Sequence, residues 1–170
     1  MILSSQSIRA RCETATPMIT PFVAEKRVVN GKSFGLSSAS YDVRIAHDLT
    51  LGYMNDQRGG GLGHGVKHYS LAHTVEDFRM PLDVCATVLD KSSFARVFIS
   101  CYNTFLDPGW HGNLTLEIVN LSNEPIFIPA ESPICQIVFM QLDEPTEIGY
   151  SGKYLGQTKA AHPARYEEAK

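Results

Sequence analysis

Five short apolar runs follow one another between residues 83 and 142: DVCATVL, RVFISCY, NLTLEIV, PIFIP and ICQIVFMQL. Each has strand length, and turn signals at Pro108-Gly109, Ser122-Asn123 and Pro129 punctuate them. No long helical period and no internal repeat competes with this pattern. It predicts a mainly antiparallel β domain. At 170 residues and 44% hydrophobic composition, one core and one domain spanning residues 1–170 are expected. Upstream, KSFGLSSASYDVRIAHDLTLG reads as a loop followed by a strand in which Tyr41, Val43 and Ile45 alternate against Asp42 and Arg44. SSQSIRARC predicts a short N-terminal helix, capped by Ser4 or Ser5, with Ile8 facing inward. Residues 52–68 are glycine-rich with almost nothing to pack and read as a mobile surface loop, while the chain beyond Pro145 turns polar and irregular.

The formal net charge of -3 leaves no chain-wide basic footprint, so nucleic acid is not an expected partner. Cys12, Cys85, Cys101 and Cys135 are widely spaced and form no CxxC pair, which points to buried, reduced thiols in a cytosolic protein. No stretch reaches the roughly 18 apolar residues of a membrane span. The opening MILSSQSIRARC lacks the basic end and apolar core of a signal peptide, so a soluble, cytoplasmic protein is expected.

Several chemical motifs fail on inspection. Gly31-Lys32-Ser33 invites a phosphate-loop reading, but the required earlier glycine would fall at position 26, which is Lys26. The glycines of residues 59–65 neither follow a clear strand nor open a helix, which argues against a dinucleotide fingerprint. His64 and His68 have the spacing of a helical metal pair but lie among helix-breaking glycines. The His-x-Glu and Pro-Cys-x-x-Cys signature of zinc nucleobase deaminases is absent, so no zinc site is expected.

What survives is a set of polar residues at strand edges. Within NLTLEIV, a period of two points Leu114, Leu116 and Ile118 one way and Thr115, Glu117 and Val119 the other. Taken alone, Glu117 is either a solvated outer-face residue or a functional carboxylate. DKSSFAR packs Lys91, Ser92, Ser93 and Arg96 into seven residues, donors suited to phosphate or carboxylate, or equally the makings of a polar turn. Asp107-Pro108-Gly109-Trp110 is a tight turn. The tail, SGKYLGQTKAAHPAR, carries Lys153, Tyr154 and Gln157 in a stretch whose composition reads as disorder.

In order along the chain, MILSSQSIRA, SSASYDVRI, DKSSFAR, LDPGWHGNLTLEIVN, ESPICQIVF and GKYLGQ together resemble the dCTP deaminase branch of the dUTPase-like superfamily. The resemblance implies a distorted β-barrel or jelly-roll-like fold, a homotrimer with active sites between subunits, and a magnesium-bound triphosphate of deoxycytidine or a related pyrimidine deoxynucleotide as substrate. Magnesium would arrive through the substrate phosphates. It also implies that Glu117 is the catalytic acid/base of a zinc-independent hydrolytic deamination. Ser92 would help hold the attacking water, and Arg96 would orient Glu117. Lys91, Ser93, Gln136, Lys153, Tyr154 and Gln157 match positions associated with the triphosphate or pocket, and Asp107 matches the residue beside the deoxyribose. Residues 151–170 match a mobile segment that closes over the site.

The chain departs from the family between Arg96 and Asp107, where VFISCYNTFL is shorter than its counterpart and the His-x-Thr-Ala residues that frame the base are missing. The expected reaction is dCTP to dUTP and ammonia, with continuation to dUMP and pyrophosphate left open. The alternatives are a dUTPase-type pyrophosphatase on the same fold and a non-catalytic nucleotide-sensing trimer. Against the first, the tail lacks a glycine-rich arginine motif and Trp110 replaces a common tyrosine. Against the second, Glu117, Ser92 and Arg96 are all present.

Overall fold

The computed structural model describes residues 1–53, 67–102 and 104–166. The chain opens on helix α1 (Ser5–Cys12), whose first turn is capped by the Ser4 hydroxyl accepting from the Ser7 N–H, with Ile8 and Cys12 on its buried face. Strands β1 (Ile19–Thr20), β2 (Arg27–Val29), β3 (Lys32–Leu36), β4 (Tyr41–Arg44) and β5 (Leu49–Leu51) follow. Then come β6 (Tyr69–Arg79), β7 (Val84–Asp90), the single-turn α2 (Ser92–Ala95), β8 (Ile99–Cys101) and β9 (Phe105–Leu106). The described strands end with β10 (His111–Asn120), β11 (Ile126–Ile128) and β12 (Pro133–Gln141).

These strands form a four-stranded sheet in the order β1-β6-β10-β8, a six-stranded sheet in the order β2-β3-β4-β12-β7-β9, and the pair β11-β5. Neighbouring strands pair antiparallel throughout. The two larger sheets share one core, in which Tyr41, Val43, Ile137 and Phe139 of one meet Phe78, Leu116 and Ile118 of the other. The mainly β expectation with a short N-terminal helix therefore holds, as does that of four buried, unpaired cysteines. Among the described residues, no helix is long and apolar enough to cross a membrane.

Three differences from the sequence reading have physical causes. Residues 32–36, read as loop, form β3, because Asn30 and Gly31 take positive φ (49° and 71°) and make a two-residue hairpin turn of the kind Asn-Gly favours. Only residues 99–101 of RVFISCY pair as a strand; Arg96 to Phe98 prolong the turn of α2, and Phe98 sits at φ 61°. Finally, β6, the longest strand among the described residues, spans 11 residues and had no sequence expectation. Its inner face carries Thr74 and Glu76 beside Ala72 and Phe78, so the apolar alternation is broken.

The polar face of β4 is buried as well. Arg44 donates from Nε to Glu76 Oε1 at 2.8 Å and from its backbone N–H to Glu76 Oε2 at 2.9 Å. Asp42 receives the Lys91 ammonium. Two ion pairs thus link β4 to the other sheet and to the start of α2.

Candidate active site

Glu117 lies on the outer face of the β6–β10 ladder, opposite Leu71, and two residues along the same face Thr115 stands opposite His73. Neighbouring segments pin the backbone around it. Tyr102 N–H donates to the Glu117 carbonyl at 2.9 Å, and the Asp90 carboxylate takes bonds from Ser100 Oγ (2.9 Å) and Cys101 N–H (2.7 Å). The Thr104 carbonyl accepts from Val88 N–H at 2.9 Å. With its backbone held there, the Thr104 hydroxyl donates to Glu117 Oε2 at 3.3 Å. The side chain that orients the carboxylate comes from the segment between Arg96 and Asp107.

Glu117 borders a cavity of about 370 Å3 whose walls include Thr104, Asp107, Tyr154, Gln157 and His162. The C-terminal segment builds much of that wall by adding itself to β10. Gly112 and Gln157 form a parallel bridge, with Asn113 N–H donating to the Gln157 carbonyl at 2.8 Å and Gly156 N–H to the His111 carbonyl at 2.9 Å. Side chains complete the docking: Thr115 Oγ1 donates to Gln157 Oε1 at 2.8 Å, and Trp110 Nε1 donates to the Tyr154 carbonyl at 2.8 Å. Lys159 N–H donates to Asn113 Oδ1 at 2.8 Å. Among residues 151–166 composition reads as disorder, yet this contact is made largely by backbone groups, which composition does not report.

Gly112 is what lets the two backbones touch. It sits at φ 135°, and a Cβ there would lie 2.4 Å from the Gln157 carbonyl oxygen. Gly112→Ala should therefore leave the sheets folded and unseat residues 156–159. Their amide exchange should rise roughly tenfold or more, from a strain of about 1–3 kcal/mol at such a position. Exchange equal to that of the unsubstituted protein would show that the segment does not depend on this contact.

The other residues singled out from the sequence gather elsewhere. Ser92, Ser93 and Arg96 are exposed on α2 and its C-terminal cap. Lys91 is buried, its ammonium on Asp42 and within 3.4 Å of Ser33 Oγ. Gln136 stands opposite Asp42 across the β4–β12 ladder and donates to Ser40 Oγ at 2.6 Å. Lys153 is exposed, its ammonium 5.4 Å from the Tyr154 ring centre. Within one chain, then, Glu117, Asp107, Tyr154 and Gln157 share a cavity, whereas Lys91, Ser92, Ser93, Arg96 and Gln136 do not border it. His64 and most of the glycine-rich stretch lie outside the described residues, and His68 packs edge-on against Tyr69. Among the described residues, no group of three His, Cys, Asp or Glu is placed to hold a metal ion.

Among the cavity residues that sequence reasoning did not single out are Thr104, Thr115 and His162. Thr115 was within reach, since it shares the outward period of Glu117. Thr104 and His162 carry no local signal, because their place beside Glu117 depends on pairings 13 and 47 residues away.

A family model described as dCTP deaminase-like matches residues 56–142. The dCTP deaminase of Rhizorhabdus wittichii is 37% identical over 182 residues, covering 95% of this chain and 98% of that protein. That of Azotobacter vinelandii is 34% identical over 186 residues, covering 96% and 99%. Among solved structures, a 2'-deoxycytidine 5'-triphosphate deaminase from Agrobacterium tumefaciens superposes with a TM-score of 0.57 at 21% identity, over 81% of this chain and 47% of that one. The dUTPase from phage phi11 of S. aureus gives 0.52 at 15% identity, over 79% and 95%. These structural likenesses carry the dUTPase-like fold, and the sequence relatives carry the family: the chain belongs to the dCTP deaminase-like family.

Proposed function

We propose that this protein hydrolyses the C4 amino group of dCTP, giving dUTP and ammonia. The observation that carries this reading is Glu117: a carboxylate held by Thr104 on the wall of a cavity of about 370 Å3, with Tyr154 and Gln157 of the docked C-terminal segment on the same wall. Such a volume falls within the roughly 300–1,000 Å3 typical of small-molecule sites.

The chemistry asks one group to move protons twice. Water adds through its oxygen to C4 as Glu117 takes the proton that water gives up. Glu117 returns a proton to the pyrimidine, the C4–N4 bond breaks, and the nitrogen departs as ammonia with the remaining proton while C4 keeps the oxygen as a carbonyl. A side chain fixed by Thr104 and by the register of β10 is suited to this because its position need not change between the two transfers. Asp107, which borders the same cavity, is the residue that meets the sugar in this reading. Magnesium enters as part of the substrate, carried by the phosphates.

The separation of the two residue groups supports a site assembled between subunits. In that assembly one chain contributes Glu117, Asp107, Tyr154 and Gln157. A neighbour contributes Ser92 for the water, Arg96 for the carboxylate and Ser93 toward the phosphates, with Lys91 and Gln136 reaching the phosphates only by giving up Asp42 and Ser40. The exposure of Ser92, Ser93 and Arg96 on one chain is what such sharing requires. A homotrimer satisfies every subunit's half-sites in one closed ring.

Two experiments test this reading. Incubation of the purified protein with dCTP and with dUTP, resolving ammonia, dUMP and pyrophosphate, should show ammonia from dCTP; dUMP and pyrophosphate appearing as well would extend the activity to a second step. No ammonia under any magnesium concentration would end the deaminase reading. Sharing is tested by mixing two inactive variants, Glu117→Gln and Arg96→Ala, after dissociation and reassembly. About a quarter of the sites in a randomly mixed trimer then draw both intact residues from different chains. Recovery near that level is expected; mixtures as inactive as either parent would place Arg96 and Glu117 in the same chain or remove Arg96 from the site.

A further inference from the structure

The C-terminal segment crosses the outer face of the four-stranded sheet and separates two hollows. One is the Glu117 cavity. The other, about 780 Å3, has His73, Asp77, Arg79, Asn113 and Lys159 in its walls. Where the segment passes over β6 and β10, three imidazoles come together. The His47 and His73 rings lie 5.2 Å apart, and His73 stands opposite Thr115, whose hydroxyl accepts the backbone N–H of His162 at 3.2 Å. His73 borders the wider hollow and His162 the Glu117 cavity.

The hydrogen bonds assign the state of His162. Arg165 Nη2 lies 2.8 Å from His162 Nδ1. A guanidinium has only donors, so Nδ1 accepts, and the neutral ring carries its proton on Nε2. That Nε2 is buried and meets no partner among the described residues, and the same holds for His73 Nδ1. Two inward-facing imidazole nitrogens therefore sit under the segment without the bonds that a charged ring would need.

We propose that His73 is a positioning residue that seats residues 157–165 as a wall of the Glu117 cavity, and that the seat holds only while its ring is neutral. This rests on reading that segment as part of the deaminase site. A proton added to His73 places a charge beside His47 and His162 with no acceptor at Nδ1. Burial first, then His47 and His162, hold His73 below the ordinary imidazole value. The groups facing this cluster from other elements do not offset that. Glu131 is paired with Arg44, Asp77 faces Arg79 and His111, Glu117 accepts from Thr104, and Lys159 and Arg165 are cations. Because the folded value of His73 is depressed, the unfolded or unseated chain takes the proton more readily. The seat is thus intact above the ordinary value, about 6.5, and is lost as pH falls through the lower folded value.

The test is amide hydrogen exchange in residues 157–165 of the full chain, corrected for intrinsic rates, between about pH 7.5 and pH 5. Protection should fall by up to about tenfold per pH unit for each linked proton, while strands β7 and β12 stay unchanged. In His73→Phe, which keeps a ring that cannot charge, protection should become nearly independent of pH; His73→Gln serves the same comparison if the ring variant does not fold. KM for dCTP should rise on the acid side in the unsubstituted protein more steeply than in either variant. Equal protection at both ends of the range in the unsubstituted protein, or an undiminished acid loss in the variants, overturns the proposal. Acid-dependent exchange in a protein that does not deaminate dCTP would refute the deaminase reading and leave the seat standing. Turnover with flat exchange would refute the seat alone.

Discussion

Glu117→Gln should lower dCTP turnover by about a hundredfold or more while leaving nucleotide binding within a few-fold of the unsubstituted protein. The amide has nearly the shape of the carboxylate and can still accept the Thr104 hydroxyl, now seen at 3.3 Å, so the cavity wall should hold its form. What it cannot do is take a proton from water and return it to the pyrimidine. Thr104→Val separates orientation from proton transfer, because it keeps the carboxylate and removes only the bond that aims it. Its loss should be smaller, roughly tenfold or less, in line with one neutral-donor hydrogen bond of about 0.5–1.5 kcal/mol. Ammonia release measured beside equilibrium binding of dCTP distinguishes the two. Turnover of Glu117→Gln within a few-fold of the unsubstituted protein would remove Glu117 from the chemistry, and the deaminase mechanism with it.

How far the sequence reaches is visible in particular elements. Strands β7, β10 and β12 are legible because each carries three successive inward residues that are apolar: Val84, Ala86 and Val88; Leu114, Leu116 and Ile118; Cys135, Ile137 and Phe139. Strand β6 is not, because Thr74 and Glu76 occupy inward positions whose justification lies far away. Thr74 Oγ1 accepts from Leu114 N–H at 3.0 Å, and Glu76 is held by Arg44. A period-two reading treats such residues as outward, and only the folded chain supplies the partners. The same limit applies to the site. Glu117 and the closing motif could be picked out residue by residue, but which of them share a cavity depends on the register of β10 with β6 and on the parallel bridge at Gly112. Neither is written in local composition. His162 is the extreme case, a single imidazole in AAHPAR that acquires a place only because its backbone reaches Thr115.

The buried partner of Arg44 makes the second large expectation. Arg44→Ala should destabilise the fold by about 3–5 kcal/mol, the usual consequence of leaving one member of a buried ion pair alone. Glu76 is 0% exposed and Arg44 12% exposed at the side chain, so water cannot replace the guanidinium. In a chain of this size that corresponds to a fall in melting temperature of roughly 6–20 °C. The loss should depend on pH in a defined direction. Burial already pushes the Glu76 carboxyl above its ordinary value, against the pull of the Arg44 bonds and charge. A raised folded value means that the folded state holds its proton more readily than the unfolded one, so stability falls as pH rises through that value. Removing Arg44 strips away the opposing pull, so the variant's deficit should shrink steadily as pH is lowered from about 8 toward 5. A double substitution locates the cause. Arg44→Met with Glu76→Gln removes both charges and keeps an oxygen to accept the backbone N–H of residue 44, now bonded to Glu76 Oε2 at 2.9 Å. It should recover most of the loss, whereas Glu76→Leu in its place would leave that N–H buried and unpaired at a further cost of about 1–3 kcal/mol. Thermal unfolding of the single and double variants at the two pH extremes decides the matter: a single variant that melts with the unsubstituted protein at pH 8 would show that the pair does not hold β4 to β6.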